Sequence, residues 1–327
     1  MSALHMPLAE KALIARIRSQ VKQGRGVITG IGDDCAVLRI PPDHEALVTT
    51  DFSLEGIHFR REWHPAESVG HRCLTRGLSD IAAMGGEPIA AFVSLALPRD
   101  LPQSWVNKFS KGLLKLADGV GVSLAGGDTA QSLHGILADV MVLGSVPKGK
   151  AILRSAARAG DRIYVSGELG GSAATLDRLR SSVTHRLNPS HFPQHFWPQP
   201  RLALGRLLRD RSLASAMIDI SDGLSTDLTH ICEESGMGAE ILAEAVPRAS
   251  IGKHSHEVDF PFALHGGEDY ELLFTVPAKH QLPSRLAGVP ITEIGYIIQN
   301  KKIIFKNADG KKSRLEAKGW QHFKNRK

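Results

Sequence analysis

Six short stretches of the sequence set carboxylates among glycine, serine or threonine. They are Gly32-Asp33-Asp34, Thr49-Thr50-Asp51, Leu78-Ser79-Asp80, Gly126-Gly127-Asp128, Ile218-Asp219-Ile220-Ser221-Asp222 and Gly266-Gly267-Glu268-Asp269. A single aspartate in such text ordinarily caps a helix or closes an Asx-turn. Several of these instead follow apolar runs (Val48 to Asp51, Leu124 to Asp128, Met217 to Asp219), and strand ends are where open α/β folds hold ligands. Two carboxylates about 4 Å apart repel by roughly 4 kcal/mol at an effective dielectric near 20, so convergence of these groups would demand cations. Hard oxygen donors together with the hydroxyls of Thr49 and Thr50 suit Mg²⁺, which is commonly shared with substrate phosphates. Zinc is disfavoured, because no His/Cys set has ligand spacing.

The common phosphate-binding signatures are missing. There is no GxxxxGK[ST] loop, no GxGxxG after a strand, no GxSxG elbow and no kinase HRD…DFG set. The glycine texts at Gly167–Gly171 and Gly236–Gly238 are weak signals alone. A nucleotide is therefore expected to be held mainly through metal ions that bridge its phosphates to aspartates.

Alternating strands and helices must position these groups. Helical spacing runs over Pro7–Val21 (Leu8, Leu13, Ile14, Ile17, Val21), and residues 24–38 read as a glycine-rich loop entering a strand. A short strand is expected over Ala46–Thr50, a helix over Ala66–Met84 closed by Gly85-Gly86, and a strand over Ile89–Leu97. The amphipathic stripe Trp105, Phe109, Leu113, Leu116, Val120 marks a helix over Pro102–Val120, and Val140–Val146 a strand. The turn-rich Pro147–Lys150 is the expected boundary between domains of residues 1–148 and 149–327. Beyond it come a strand (Arg162–Ser166), a glycine-rich turn into a helix, and a four-proline stretch, 187–200, expected to be irregular. A strand (Ala216–Ile220), a helix (Leu224–Glu234) with Asp222 near its N-cap, and strands at Glu271–Val276 and Ile291–Ile298 complete the pattern. The expected class is α/β (α+β), with two domains of two layers each.

The charge of +6, from 40 Lys+Arg against 34 Asp+Glu, suggests a polyanion partner at first sight. Its placement argues otherwise. Residues 301–327 hold ten Lys/Arg against Asp309 and Glu316, an excess of eight, so the first 300 residues carry a net −2. A solvated basic surface explains such a tail, and nucleic acid is not an expected partner. Three scattered cysteines (Cys35, Cys73, Cys232), no apolar run of membrane-spanning length and no signal-peptide core lead to an expected cytoplasmic location.

In order along the chain, GIGDDCAVL (30–38), TTDFSLEGIHF (49–59), LSDIAAMGGEP (78–88), LAGGDTA (124–130), IDISDGL (218–224) and HGGEDYELLFTV (265–276) resemble the motifs of bacterial thiamine-monophosphate kinases. That family belongs with the aminoimidazole ribonucleotide synthetases and selenophosphate synthetases. The resemblance implies ATP-dependent conversion of thiamine monophosphate to thiamine diphosphate, the last step of thiamine diphosphate biosynthesis, with several Mg²⁺ ions. It also implies a homodimer paired through the sheets of an N-terminal metal- and ATP-binding domain, and a C-terminal α/β domain that closes each site. By motif, Asp34, Thr49, Thr50, Asp51, Asp80, Asp128, Asp219 and Asp222 resemble the family's metal ligands, with Asp51 and Asp128 acting in catalysis through bound metal. Gly127, Asp128, Arg154 and Ser221 resemble the nucleotide contacts. His58, Glu268 and Trp320 resemble the contacts to thiamine monophosphate. Ser53 and Ala130 depart from the family pattern, where an aliphatic residue and a second threonine are common.

The acceptor in such a reaction is a phosphate with a second pKa of about 6, so it is largely dianionic at neutral pH and needs no protein base. Direct in-line transfer without a phosphoenzyme follows as the expected mechanism. The sister enzymes that activate a selenide or a carbonyl with ATP fit less well, since GIGDD, EGIHF and LSDIAAMGG resemble the thiamine branch. A selenide enzyme would want a reactive cysteine near its N-terminus, and none precedes Cys35; the hydrogenase-maturation relative ends in a cysteine, whereas this chain ends FKNRK.

Overall fold

The computed structural model describes residues 8–182, 186–321 and 323. They form two compact units, one of the described residues up to Ile81 with Gly86–Gly149, the other of Ala82–Gly85 with the described residues from Lys150 onward.

The first unit begins with α1 (Glu10–Gln20) and the small ribbon β1 (Val27–Thr29) and β2 (Val37–Leu38). Pro7, the expected start of the first helix, lies outside the described residues. The unit's main sheet runs β3 (His44–Leu54), β6 (Leu137–Pro147), β4 (Glu87–Pro98), β5 (Ser123–Ser132) in spatial order. Its pairings are antiparallel except β4–β5, whose parallel crossover is made by α3 (Gln103–Val120). Helix α2 (Ala66–Ala83) lies on the face that buries Ala138, Val140 and Val142: a Cβ at Gly77 would meet the Val142 side chain at 2.7 Å. Helices α2 and α3 approach so closely that a Cβ at Gly70 would lie 2.0 Å from the Phe109 carbonyl oxygen, and one at Gly112 1.9 Å from that of Glu67. The opposite face of the sheet leaves Val48 and Phe52 60% and 55% exposed.

In the second unit the long sheet is ordered β16 (Lys312–Arg314), β15 (Ile303–Lys306), β9 (Gly238–Leu242), β14 (Val289–Ile298), β7 (Arg162–Ser166), β12 (Leu272–Val276), β8 (Ala216–Asp219). The two-residue strands β10 (Ser250–Ile251) and β11 (His256–Glu257) form their own ribbon, and β13 (Arg285–Leu286) pairs with β14. Alternation along the strands feeds two cores. Ile163, Val165, Ile218 and Leu273 join Leu224, Leu228 and Ile231 of α7 (Leu224–Ser235) and Leu264 of α8 (Phe260–His265). Tyr164, Met217 and Phe274 face the other way, onto Leu204 and Leu208 of α6 (Leu202–Asp210). Helices thus cover both faces, three layers where two were expected. The sequence hides this because residues buried on both faces read as plain apolar runs.

The four-proline stretch is more ordered than expected. Pro189–His191 makes a 3₁₀ turn capped by Asn188, Pro193–Phe196 makes the short helix α5, and both His195 and Phe196 are buried. Pro189 and Pro193 each open a turn, where the missing N–H costs nothing. It follows α4 (Gly171–Ser181), whose Ser172 Oγ meets His195 Nδ1 at 2.9 Å. No helix among the described residues is long and apolar enough to cross a membrane. Of the basic tail, Lys312 pairs with Glu240 and Lys318 with Glu316, while Lys324, Arg326 and Lys327 lie outside the described residues.

Candidate functional site

In the first unit most of these carboxylates stand on regular elements: Asp80 in the expected helix, α2, and Asp51 and Asp128 within the strands β3 and β5 and not at their ends. Asp34 is in a loop. Period-2 alternation sends Thr49, Asp51 and Ser53 to the helix-covered face and Thr50 and Phe52 to the other. On the covered face the Thr49 hydroxyl donates to Asp80 Oδ2. Burial and the neighbouring Asp80 push the Asp51 carboxyl up to about 7, against a smaller opposing pull from Arg76. Ser53, the departure from the family pattern, is buried and hydrogen-bonds Cys73, whose thiol burial pushes up to about 12.

Thr50, Asp34, Gly127 and Asp128 line a pocket of about 730 Å³. Its lining also includes Phe92, Met141, Cys35 and Asp139, while Thr49, Asp51 and Asp80 are not part of it. The register sets Asp128 opposite Ser94, and Ser94 opposite Asp139, so the two aspartates flank one strand. Asp139 escaped the sequence reading, and burial raises its pKa. Its signal was a lone charge in the apolar run Leu137–Val146. Gly127, at φ +145°, leaves no room for a side chain: a Cβ would sit 2.0 Å from the Val93 carbonyl oxygen. Asp128 Oδ1 accepts from its neighbour's N–H, Thr129 N, at 2.8 Å. His58 belongs to this unit, half-buried, its Nδ1 accepting from Leu54 N at 3.0 Å.

In the second unit the backbone ties three distant segments into one knot. Ile220 N donates to Glu271 O (2.7 Å), Tyr270 N to Ile220 O (2.9 Å), Glu268 N to Ser221 O (2.8 Å) and Trp320 N to Asp222 O (3.0 Å). Ser221, Asp222, Glu268 and Trp320 are thereby brought together. Glu268 and Tyr270 hold φ of +64° and +52°, a strained conformation for non-glycine residues. Between them Asp269 is buried, accepting from Gly170 N (2.8 Å) and Ser172 N (3.4 Å) at the start of α4. Burial pushes its carboxyl up to about 8, the two N–H groups holding it back in part.

The N-cap of α7 is Gly223, and Asp222 lies one residue outside. The capping group is Asp227, whose Oδ2 accepts from Asp222 N (3.1 Å) and Gly223 N (2.9 Å). Sequence reading missed it, although an acid in a helix's first turn reaching back is a known capping signal. Burial, then Asp219 and Asp222, push Asp227 up to about 8. Ligand atoms of Asp222, Asp227 and His230 lie within 4.8 Å of one another. Arg154 is not brought to this turn by its backbone, since its carbonyl accepts from Ser235 Oγ (2.9 Å) at the other end of α7, a helix about 18 Å long.

The donors fit a hard divalent cation. Carboxylate and hydroxyl oxygens dominate both groups, and the raised pKa values of Asp51 and Asp227 arise from burial and crowding of like charge that a cation would relieve.

Two family models match the chain: the AIR synthase related protein N-terminal domain over residues 32–146 and the corresponding C-terminal domain over 158–306. The thiamine-monophosphate kinase of Salmonella typhimurium is 39% identical over 328 residues, covering 97% of this chain and 99% of the relative. That of Bacillus subtilis is 36% identical over 322 residues, covering 95% and 98%. Among solved structures, the thiamine-monophosphate kinase of Stenotrophomonas maltophilia aligns with a TM-score of 0.79 at 34% identity, over 93% of this chain and 98% of that one. An AaThiL complexed with AMPPCP and TMP aligns at 0.75 and 32% identity, over 87% and 89%. Hydrogenase maturation protein HypE in complex with ATP, at 0.72 but 18% identity over 87% and 88%, shares the fold.

Proposed function

The chain belongs to the thiamine-monophosphate kinase family and phosphorylates thiamine monophosphate with ATP; we propose that it does so by direct in-line transfer at a Mg²⁺-bearing carboxylate site. The observation that carries the metal reading is the half-buried Asp51 beside Asp80, whose carboxyl is driven up to about 7. Asp34, Thr49, Thr50, Asp51, Asp80 and Asp128 would hold Mg²⁺ in the first unit, Asp219 and Asp222 in the second. Bound Mg²⁺ supplies charge neutralisation between donor and acceptor oxygens.

The chain's own residues have the tasks of binding and aligning. The pocket beside Gly127 and Asp128 offers the nucleotide apolar side chains (Phe92, Leu113, Leu124) and the carboxylates of Asp34, Asp128 and Asp139. Glycine at 127 lets a phosphate approach the backbone where a side chain would block it. In the second unit Ser221 is assigned to the nucleotide and Glu268 and Trp320 to thiamine monophosphate; in the first unit His58 is assigned to thiamine monophosphate. Arg154 stays a nucleotide contact by resemblance alone. An indole face stacks well on an aromatic ring, and Trp320 is 39% exposed. No residue is assigned as general base, because the acceptor phosphate is already largely dianionic.

We assign the active form as a homodimer. The bare sheet face at Val48 and Phe52 supports pairing between sheets. Free cysteines throughout the described residues fit a reducing cytoplasm. The test supplies ATP, Mg²⁺ and thiamine monophosphate and measures thiamine diphosphate and ADP. Equal yields of both products are expected, and free thiamine proving the better acceptor would refute the assignment.

A further inference from the structure

After Leu315 the chain runs to Trp320 with no buried side chain: Glu316, Ala317, Lys318 and Trp320 are all exposed. Its path is set instead by three consecutive backbone donors. Lys318 N donates to Ser225 Oγ (3.4 Å), Gly319 N to Thr226 Oγ1 (3.1 Å) and Trp320 N to Asp222 O (3.0 Å). All three acceptors belong to the turn that opens α7, the turn that also carries Ser221. Position 319 must be bare for this docking, because a Cβ there would lie 2.1 Å from Asp222 O and 2.5 Å from Thr226 Oγ1. The restriction is one of space alone. A backbone carbonyl cannot yield as a flexible side chain can.

We infer that Thr226, supported by Ser225 and by the bare position 319, is a latch that positions Trp320 for thiamine monophosphate, and so determines affinity for the acceptor without touching it. The inference rests on the reading of Trp320 as an acceptor contact. Ser225 Oγ also meets His265 Nδ1 at 2.8 Å, which fixes its rotamer. The latch ties the acceptor side of the site to the carbonyl of Asp222, so acceptor-binding and metal-binding residues share one hydrogen bond.

The test is steady-state kinetics and hydrogen exchange on the full chain. Trp320→Ala is expected to raise KM for thiamine monophosphate. Thr226→Val keeps the shape and removes the accepting oxygen; KM for thiamine monophosphate is expected to rise about fivefold, as for one lost hydrogen bond. Its kcat and its KM for ATP stay near wild type, amides of residues 318–320 exchange faster, and Thr226→Ser restores both readouts. Gly319→Ala moves the same parameters further. If Trp320→Ala raises the acceptor KM while Thr226→Val changes neither KM nor exchange, the latch is overturned and the reading of Trp320 stands. If Trp320→Ala leaves the acceptor KM unchanged, the reading of Trp320 itself falls. Equal losses in kcat and both KM values for Thr226→Val, with a lowered Tm, would reduce Thr226 to a folding role and overturn the latch.

Discussion

The two units prepare their proposed site residues in different ways. In the first, Asp51, Asp80 and Asp128 stand on strands and a helix whose backbone is satisfied by regular pairing, and the stored tension is electrostatic. In the second, the residues stand on turns tied by single backbone hydrogen bonds, and backbone torsions at Glu268 and Tyr270 add to the like-charge crowding at Asp227. A rigid scaffold suits a cluster of like charges, which must be kept from relaxing apart. A knotted turn suits recognition of an organic substrate, because each segment contributes one differently oriented group.

This contrast can be broken or sharpened by substitution. The largest effect is expected for Asp51→Asn: kcat falls by about 10²-fold or more, the scale of losing a preorganised electrostatic group. Tm in the absence of Mg²⁺ does not fall, since the change neutralises a half-buried carboxylate that repels Asp80. Unchanged kcat with normal Mg²⁺ dependence would remove Asp51 from the metal set. In the second unit, Glu268→Gly and Glu268→Ala both delete the carboxylate, so both raise KM for thiamine monophosphate. Chemical denaturation separates them, with the glycine variant more stable by about 1 kcal/mol because it alone accepts φ of +64° freely. Equal stability would mean that the torsion carries no strain.

Asp269 gives a smaller, pH-dependent effect. Its folded pKa of about 8 lies above the unfolded value of 3.8, so the folded state binds more protons between those limits. Its contribution to stability is complete below the unfolded value and is lost as pH rises through about 8. Asp269→Asn is therefore expected to make the fall in Tm from pH 5 to 8.5 shallower, and an unaltered slope would assign that fall to other groups. The mildest effect concerns Cys35, which is exposed and lines the first unit's pocket, whereas Cys73 and Cys232 are buried with thiols pushed up to about 12. One thiol should react in the native protein, and ATP with Mg²⁺ should slow it. Labelling unaffected by ATP would argue against a nucleotide in that pocket.

Much of this was legible in the sequence where a signal is local. The stripe Phe109, Leu113, Leu116 fixes α3 because helical periodicity survives in the text, and Gly236 marks the end of α7 because only a left-handed cap fits there. The motif blocks likewise bring out Ser221, Asp222 and Glu268, and the family resemblance adds Trp320; the fold joins these four. What the text concealed depends on partners far along the chain. Asp51 and Asp128 look like loop residues because their neighbours are Thr and Gly, yet sheet pairing makes them strand residues. Asp139 and Asp227 stand outside the glycine-rich blocks, and their roles arise from cross-strand register and from a reach back to an N-cap. The dependence of Trp320 on Thr226 lies in a contact across 93 residues, which no local pattern encodes.

Direct transfer between the two substrates is the claim on which the account turns, and the stereochemistry at phosphorus tests it most directly. With ATP made chiral at its γ-phosphorus, thiamine diphosphate formed by this protein should carry its terminal phosphorus with inverted configuration, as a single in-line displacement requires. Retention would require an even number of transfers through a phosphorylated protein and would contradict it.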